Sequence, residues 1–154
     1  FDNDGQDDLA IGTPYDDVGG TENAGSVHVM YGATNGLSDS WDRVWYQGSY
    51  ISTAVEADDR FGWSLATGDL DGDGNDDLAI GTPYEHIGDI TDAGMVQVFY
   101  GDSRGIPAHP RYQNFHQDKD AIANTAESDD RFGMSVAVLH VTPERVFLPL
   151  VIRQ

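Results

Sequence analysis

The sequence predicts an all-β protein made of two tandem repeats, and three observations carry that expectation. Residues 8–15 and 77–84 are the same peptide, Asp-Leu-Ala-Ile-Gly-Thr-Pro-Tyr, so the chain repeats itself. Its apolar runs are short and bounded by Gly, Asp, Asn or Pro, as in Trp63 to Ala66, Leu78 to Ile80 and Met95 to Tyr100, which is the punctuation of strands. Apolar side chains show no sustained helical spacing, and the many Gly, Asp and Asn residues interrupt helices while serving turns.

The copies align over long stretches. Phe1 to Gly32 lies on Leu70 to Gly101 without a break, and after a short insertion Ala57 to Gly62 lies on Ser128 to Gly133. The period is roughly seventy residues, longer than the ~40–50 of common propeller repeats. Each copy opens on an acidic loop that runs into the shared peptide. Next comes Gly25 to Gly32, matched by Gly94 to Gly101, where Val27, Val29 and Tyr31 alternate with more polar positions, the pattern of a half-buried strand. The connection that follows bears Trp41, Trp45 and Tyr46, which are expected to pack between repeats, with stacking on a sugar as the alternative. Phe61 to Ala66 then opens the second copy, and Phe132 to Ala137 repeats that opening with no acidic loop after it. Residues 1–60 are thus a first repeat without its opening strand, 61–131 a second repeat, and 132–154 an orphan opening strand with an apolar tail.

The formal charge is −19, from 27 acidic against 8 basic residues. Such a chain repels phosphate backbones and anionic membranes, so nucleic acid is excluded as a partner and cations are favoured. Hydrophobic residues at 39% leave enough for a core. Outside the loops, acids such as those of the Glu56 to Asp59 and Glu127 to Asp130 runs are expected to be a solvated, solubilising surface. Cysteine is absent, which removes disulfide and thiol chemistry. No apolar stretch approaches the length that spans a bilayer, so no membrane insertion is expected.

The acidic loops carry the chemistry. Asp69, Asp71, Asp73 and Asp77 supply carboxylates around glycines, with Asn75 as a carbonyl donor and Asp76 pointing away. Calcium takes about six to eight oxygen ligands and suits such a loop. In the first copy the matching set is Asp2, Asp4, Gln6 by its carbonyl, and Asp8, and the counterpart of Asp69 is missing. A helix-loop-helix site would close on a glutamate where Ile80 stands, so that fold is not expected. Carboxylates confined to so short a loop repel one another, which makes calcium part of the fold's stability.

The combination Phe61-Gly-x-Ser-x-Ala, then Asp69-x-Asp-x-Asp-Gly-x-x-Asp77-Leu, then Ile80-Gly-Thr-Pro83 resembles the FG-GAP repeat family over essentially the whole chain to about Val141. Gly12-Thr-Pro14 and Gly81-Thr-Pro83 stand where the family has Gly-Ala-Pro. The resemblance implies β-propeller-type blades of four strands, calcium in the loop between the first two strands, a secreted or cell-surface location, and adhesion or assembly in place of catalysis.

Two blades and an orphan strand cannot close a ring and leave sheet edges open. The leading expectation is therefore a calcium-binding structural protein whose subunits join head to tail by strand exchange into an oligomer or filament. The exchanged segment would contain Phe132, Gly133, Ser135, Val136, Ala137, Val138 and His140, with His140 reaching the incomplete first loop. The alternative is an adhesive module, binding a cell-surface or matrix protein or a glycan, that belongs to a larger propeller. The apolar stretch from Arg145 to Ile152 is expected to dock on a blade. Histidines 28, 86, 109 and 116 show no paired ligand spacing, and no nucleophile elbow, phosphate loop or Cys-His pair is present. An enzyme is not expected.

Overall fold

The computed structural model describes residues 1–38, 42–49, 51, 53–119 and 122–139. The described residues form strands and no helix. In the first repeat, β1 (Leu9–Thr13), β2 (Ser26–Met30) and β5 (Arg43–Trp45) make an antiparallel sheet in the order β1-β2-β5, and β3 (Gly32–Ala33) pairs with β4 (Gly36–Leu37). In the second, β6 (Ser64–Gly68), β7 (Asp77–Thr82), β8 (Met95–Tyr100) and β9 (Arg111–Phe115) form a four-stranded antiparallel meander, the shape of a propeller blade. The register repeats with the sequence: Ala10 faces Val29 as Ala79 faces Val98, and Val27 faces Trp45 as Val96 faces Phe115.

The main core lies between the two sheets. Val27, Val29 and Trp45 from the first blade and Leu78, Ile80 and Phe99 from the second are buried together with Phe61. Trp45 meets Phe99 edge-on at 6.2 Å between ring centroids, which gives it the expected place between repeats. Trp41 lies outside the described residues.

Identical peptides acquire opposite environments. Leu9 and Ile11 are 42% and 37% exposed, whereas Leu78 and Ile80 are fully buried. β7 has β6 and β8 on either side and the first blade against one face; among the described residues β1 has a hydrogen-bonded strand on one side only. The other face of each strand is closed by the next Phe-Gly segment. A Cβ on Gly12 would sit 2.0 Å from the carbonyl oxygen of Gly62, and one on Gly81 would sit 2.1 Å from that of Gly133. Only hydrogen fits at either place.

That latch is a repeated backbone structure. The amides of Asp58, Arg60 and Phe61 donate to the carbonyls of Glu22, Asn23 and Ala24, and those of Asp129, Arg131 and Phe132 donate to Thr91, Asp92 and Ala93. Arg60 stacks over Tyr84 at 4.3 Å and Tyr15 at 5.1 Å, and Trp63 meets Tyr84 edge-on. Arg131 lies over the same Tyr84 ring at 5.1 Å, so the seam is lined by aromatic rings and two guanidiniums.

The last copy of the opening motif lies on its own chain. Phe132, Gly133, Ser135, Val136, Ala137 and Val138 do not form a strand: the segment makes a single parallel bridge, Phe132 to Gly94. Phe132 and Gly133 dock on their own second blade as Phe61 and Gly62 dock on the first, and Val138 lies over Gly68. His140 and the apolar tail lie outside the described residues.

Candidate metal centre

The second acidic loop is folded around Asp69. Its Oδ1 accepts from the amides of Gly72 (2.7 Å) and Asp73 (3.1 Å), and its Oδ2 from Gly74 (3.0 Å). Asp71 Oδ1 accepts from Asp73 N, and Asp73 Oδ1 from Asn75 N, which closes successive Asx turns. Asp77 begins β7 and is fully buried. Its Oδ2 accepts from Leu70 N at 2.8 Å and its Oδ1 from Gly101 N at 2.9 Å, so it ties the start of the loop to the end of β8. Burial pushes its carboxyl above the usual range and the two amide donors oppose that rise.

One carboxylate oxygen each from Asp69, Asp71 and Asp77 lie within 4.8 Å of one another. Three hard oxygens at that spacing can share a divalent cation, with backbone carbonyls and water completing its shell. Asp73 is not part of this group, and Asn75 turns its side-chain amide onto Asp73 Oδ1 at 3.0 Å. Asp76 is exposed and stands apart from the group.

The first loop repeats the turn without the cluster. Asp4 N donates to Asp2 Oδ1 and Gln6 N to Asp4 Oδ1, at the positions and distances of the second loop. Asp8 Oδ1 accepts from Gly32 N at 2.8 Å, and its Oδ2 contacts the backbone nitrogen of Phe1, the counterpart of Leu70. Among the described residues, Asp2, Asp4 and Asp8 do not converge as the second triad does. In the second loop it is Asp69 that gathers three amides inward, and the position aligned with it lies before Phe1.

Three features escaped the sequence. Arg111 on β9 contacts Asp71 Oδ2 and stacks on Tyr100 at 3.9 Å, which brings a fixed cation to the rim of the loop. Its position on a neighbouring strand gives no signal in the loop itself. Asp59, read as a solvated surface acid, is fully buried and caps its own turn by accepting from Glu56 N at 3.0 Å. Glu85 is buried as well and contacts Gln47 Nε2. Both lie at the seam between blades, where the long connection leaving β5 crosses the β7–β8 turn. Burial is the main cause that raises Asp59 to about 7 and Glu85 to about 8, with their shared acidic neighbour Glu56 adding to the rise.

Comparison with known proteins now bears on this arrangement. The FG-GAP repeat model matches residues 1–30 and 61–99. Residues 1–30 and 61–99 belong to the FG-GAP repeat family. Rat phosphatidylinositol-glycan-specific phospholipase D is 33% identical over 102 residues, covering 66% of this chain and 12% of that protein. The Drosophila melanogaster integrin alpha-PS2 is 34% identical over 114 residues, 71% of this chain and 8% of that protein. The Dictyostelium discoideum phospholipase of the same name is 28% identical over 138 residues, 90% of this chain and 14% of that protein. This FG-GAP chain therefore spans a small fraction of the length of the curated relatives it matches. The matched segments contain both acidic loops, both copies of the shared peptide and the Phe61-Gly62 latch.

Proposed function

We propose that these FG-GAP blades are a calcium-bearing structural module of a larger extracellular propeller, serving adhesion or assembly and not catalysis. The observation that carries this reading is the latch made twice over, in which Phe61-Gly62 closes on the first blade and Phe132-Gly133 on the second by the same backbone bonds. A device that joins each blade to its successor suits consecutive blades of a longer array. The integrin relative supports an extracellular setting. The phospholipase relatives name an activity of proteins far longer than the matched segment. Here the loop carboxylates hold turns, and the convergence of Asp69, Asp71 and Asp77 supports the calcium reading.

A second reading, self-association, has its own support. The outer edge of β1 has no hydrogen-bonded strand among the described residues, and Leu9 and Ile11 beside it are exposed. An open edge of this kind accepts a strand from a second copy. Calcium titration by calorimetry, followed by light scattering in calcium and after chelation, tests both readings. The module reading expects calcium binding that is lost in Asp69→Asn, and a monomer in either condition. A calcium-dependent assembly would favour strand exchange, and a protein indifferent to calcium would overturn both.

A further inference from the structure

We propose that Glu56, Asp59 and His86 form a second cation site at the blade seam, one that takes zinc or a similar first-row divalent ion and not calcium. A carboxylate oxygen from each acid and a ring nitrogen of His86 lie within 4.8 Å of one another. The site is built from both repeats: Glu56 and Asp59 stand on the connection leaving the first blade, and His86 follows β7 of the second.

An independent observation points to a ligand there. Asp59 is fully buried, its Oδ2 accepts from Glu56 N, and its Oδ1 has no hydrogen-bond donor. A buried oxygen in that state is costly unless a donor or a cation meets it.

The repeats explain how the seam came to be so. In the first blade Thr13, Ser26 and Asp16 form a closed chain, Thr13 Oγ1 to Ser26 Oγ at 2.6 Å and Ser26 Oγ to Asp16 Oδ2 at 2.7 Å. In the second blade Met95 replaces Ser26 and Glu85 replaces Asp16. Thr82 Oγ1 is left buried without a partner, and Glu85 faces the acids of the connection. A local network has been exchanged for a concentration of negative charge around one imidazole.

The choice of metal follows from the donors. His86 Nδ1 lies 3.3 Å from the Tyr84 carbonyl oxygen and 4.0 Å from Asp92 Oδ1. A ring N–H donated to a carbonyl leaves Nε2 as the lone-pair nitrogen, the orientation that metal-binding histidines adopt. One imidazole with two carboxylates is a three-residue set for zinc with a fourth position open. The aspartate loops offer oxygen alone and suit calcium.

The test is zinc titration by calorimetry in excess calcium, with cobalt absorption as a report of nitrogen ligation. The wild-type chain should bind one zinc at the seam. His86→Ala and Glu56→Gln, both at exposed positions, should weaken it by about ten-fold or more, with unchanged far-ultraviolet dichroism, and Asp69→Asn should leave it unaltered. Absence of zinc binding, or equal affinity in wild type and His86→Ala, overturns the proposal. Because calcium is held constant, failure here is separate from failure of the loop reading.

Discussion

At the scale of single residues, Asp77 and Asp71 sit in one cluster but do different work. Asp77 uses both oxygens on backbone amides, Leu70 N and Gly101 N, whereas Asp71 is exposed and, among the described residues, accepts only within its own turn and from Arg111. Replacing Asp77 by Asn turns one acceptor into a donor facing an amide, and a buried group so stranded costs about 1–3 kcal/mol. Asp77→Asn should therefore lower stability by about that amount in chelator as well as in calcium. Asp71→Asn should lower calcium affinity and leave the ion-free protein nearly as stable as before. Urea denaturation of both variants, with and without calcium, checks this; equal losses confined to calcium would show that Asp77 is a ligand and not a clamp. The loop was legible in sequence because its acids are close along the chain. The clamp was not, since Gly101 lies beyond β8 and nothing in the spacing of carboxylates reveals which of them will be buried.

At the scale of elements, the latch is the feature on which blade order depends. Asp58 and Arg60 hold φ of 68° and 58°, and Asp129 and Arg131 hold 67° and 53°, a conformation costly for such residues. It persists because each turn delivers three amides to the preceding blade. Gly81 and Gly12 admit the latch carbonyl only because they lack a side chain. Gly81→Ala should cost about 1–3 kcal/mol by forcing that carbonyl away, and Gly12→Ala should cost a similar amount, read as shifts in urea midpoint. No loss in either variant would mean the seam is looser than its geometry. The strand pattern, the repeat and the packing of Trp45 were readable from alternation and turn residues. The fate of Phe132 to Val138 was not: the segment copies the opening motif, yet among the described residues it makes only the bridge from Phe132 to Gly94, where Ser64–Gly68 pairs with β7 as a strand. Docking through the latch requires only the preceding blade. Sequence similarity could not separate these two steps, because one short motif serves both.

At the scale of the whole molecule, the seam couples stability to protons. With ions removed by chelator, Asp59 at about 7 and Glu85 at about 8 hold protons in the folded state that the unfolded chain, with ordinary values of 3.8 and 4.5, has already released. A raised carboxyl stabilises the fold fully below its unfolded value and loses that contribution as pH climbs through the folded one. The ion-free protein should therefore lose stability between about pH 5 and pH 8, on the order of a few kcal/mol. General repulsion among 27 acids has the same sign, so the seam is isolated by substitution. Glu85→Gln keeps the shape and the contact to Gln47 while removing the titrating proton, and its dependence on pH should be visibly flatter than that of the wild type. Urea midpoints measured across that range in chelator decide the matter: parallel curves for the two proteins would place the proton linkage elsewhere. A cation at Glu56, Asp59 and His86 would replace those protons as the source of compensation, so added zinc should flatten the wild-type curve as well and do little to a chain that also lacks His86.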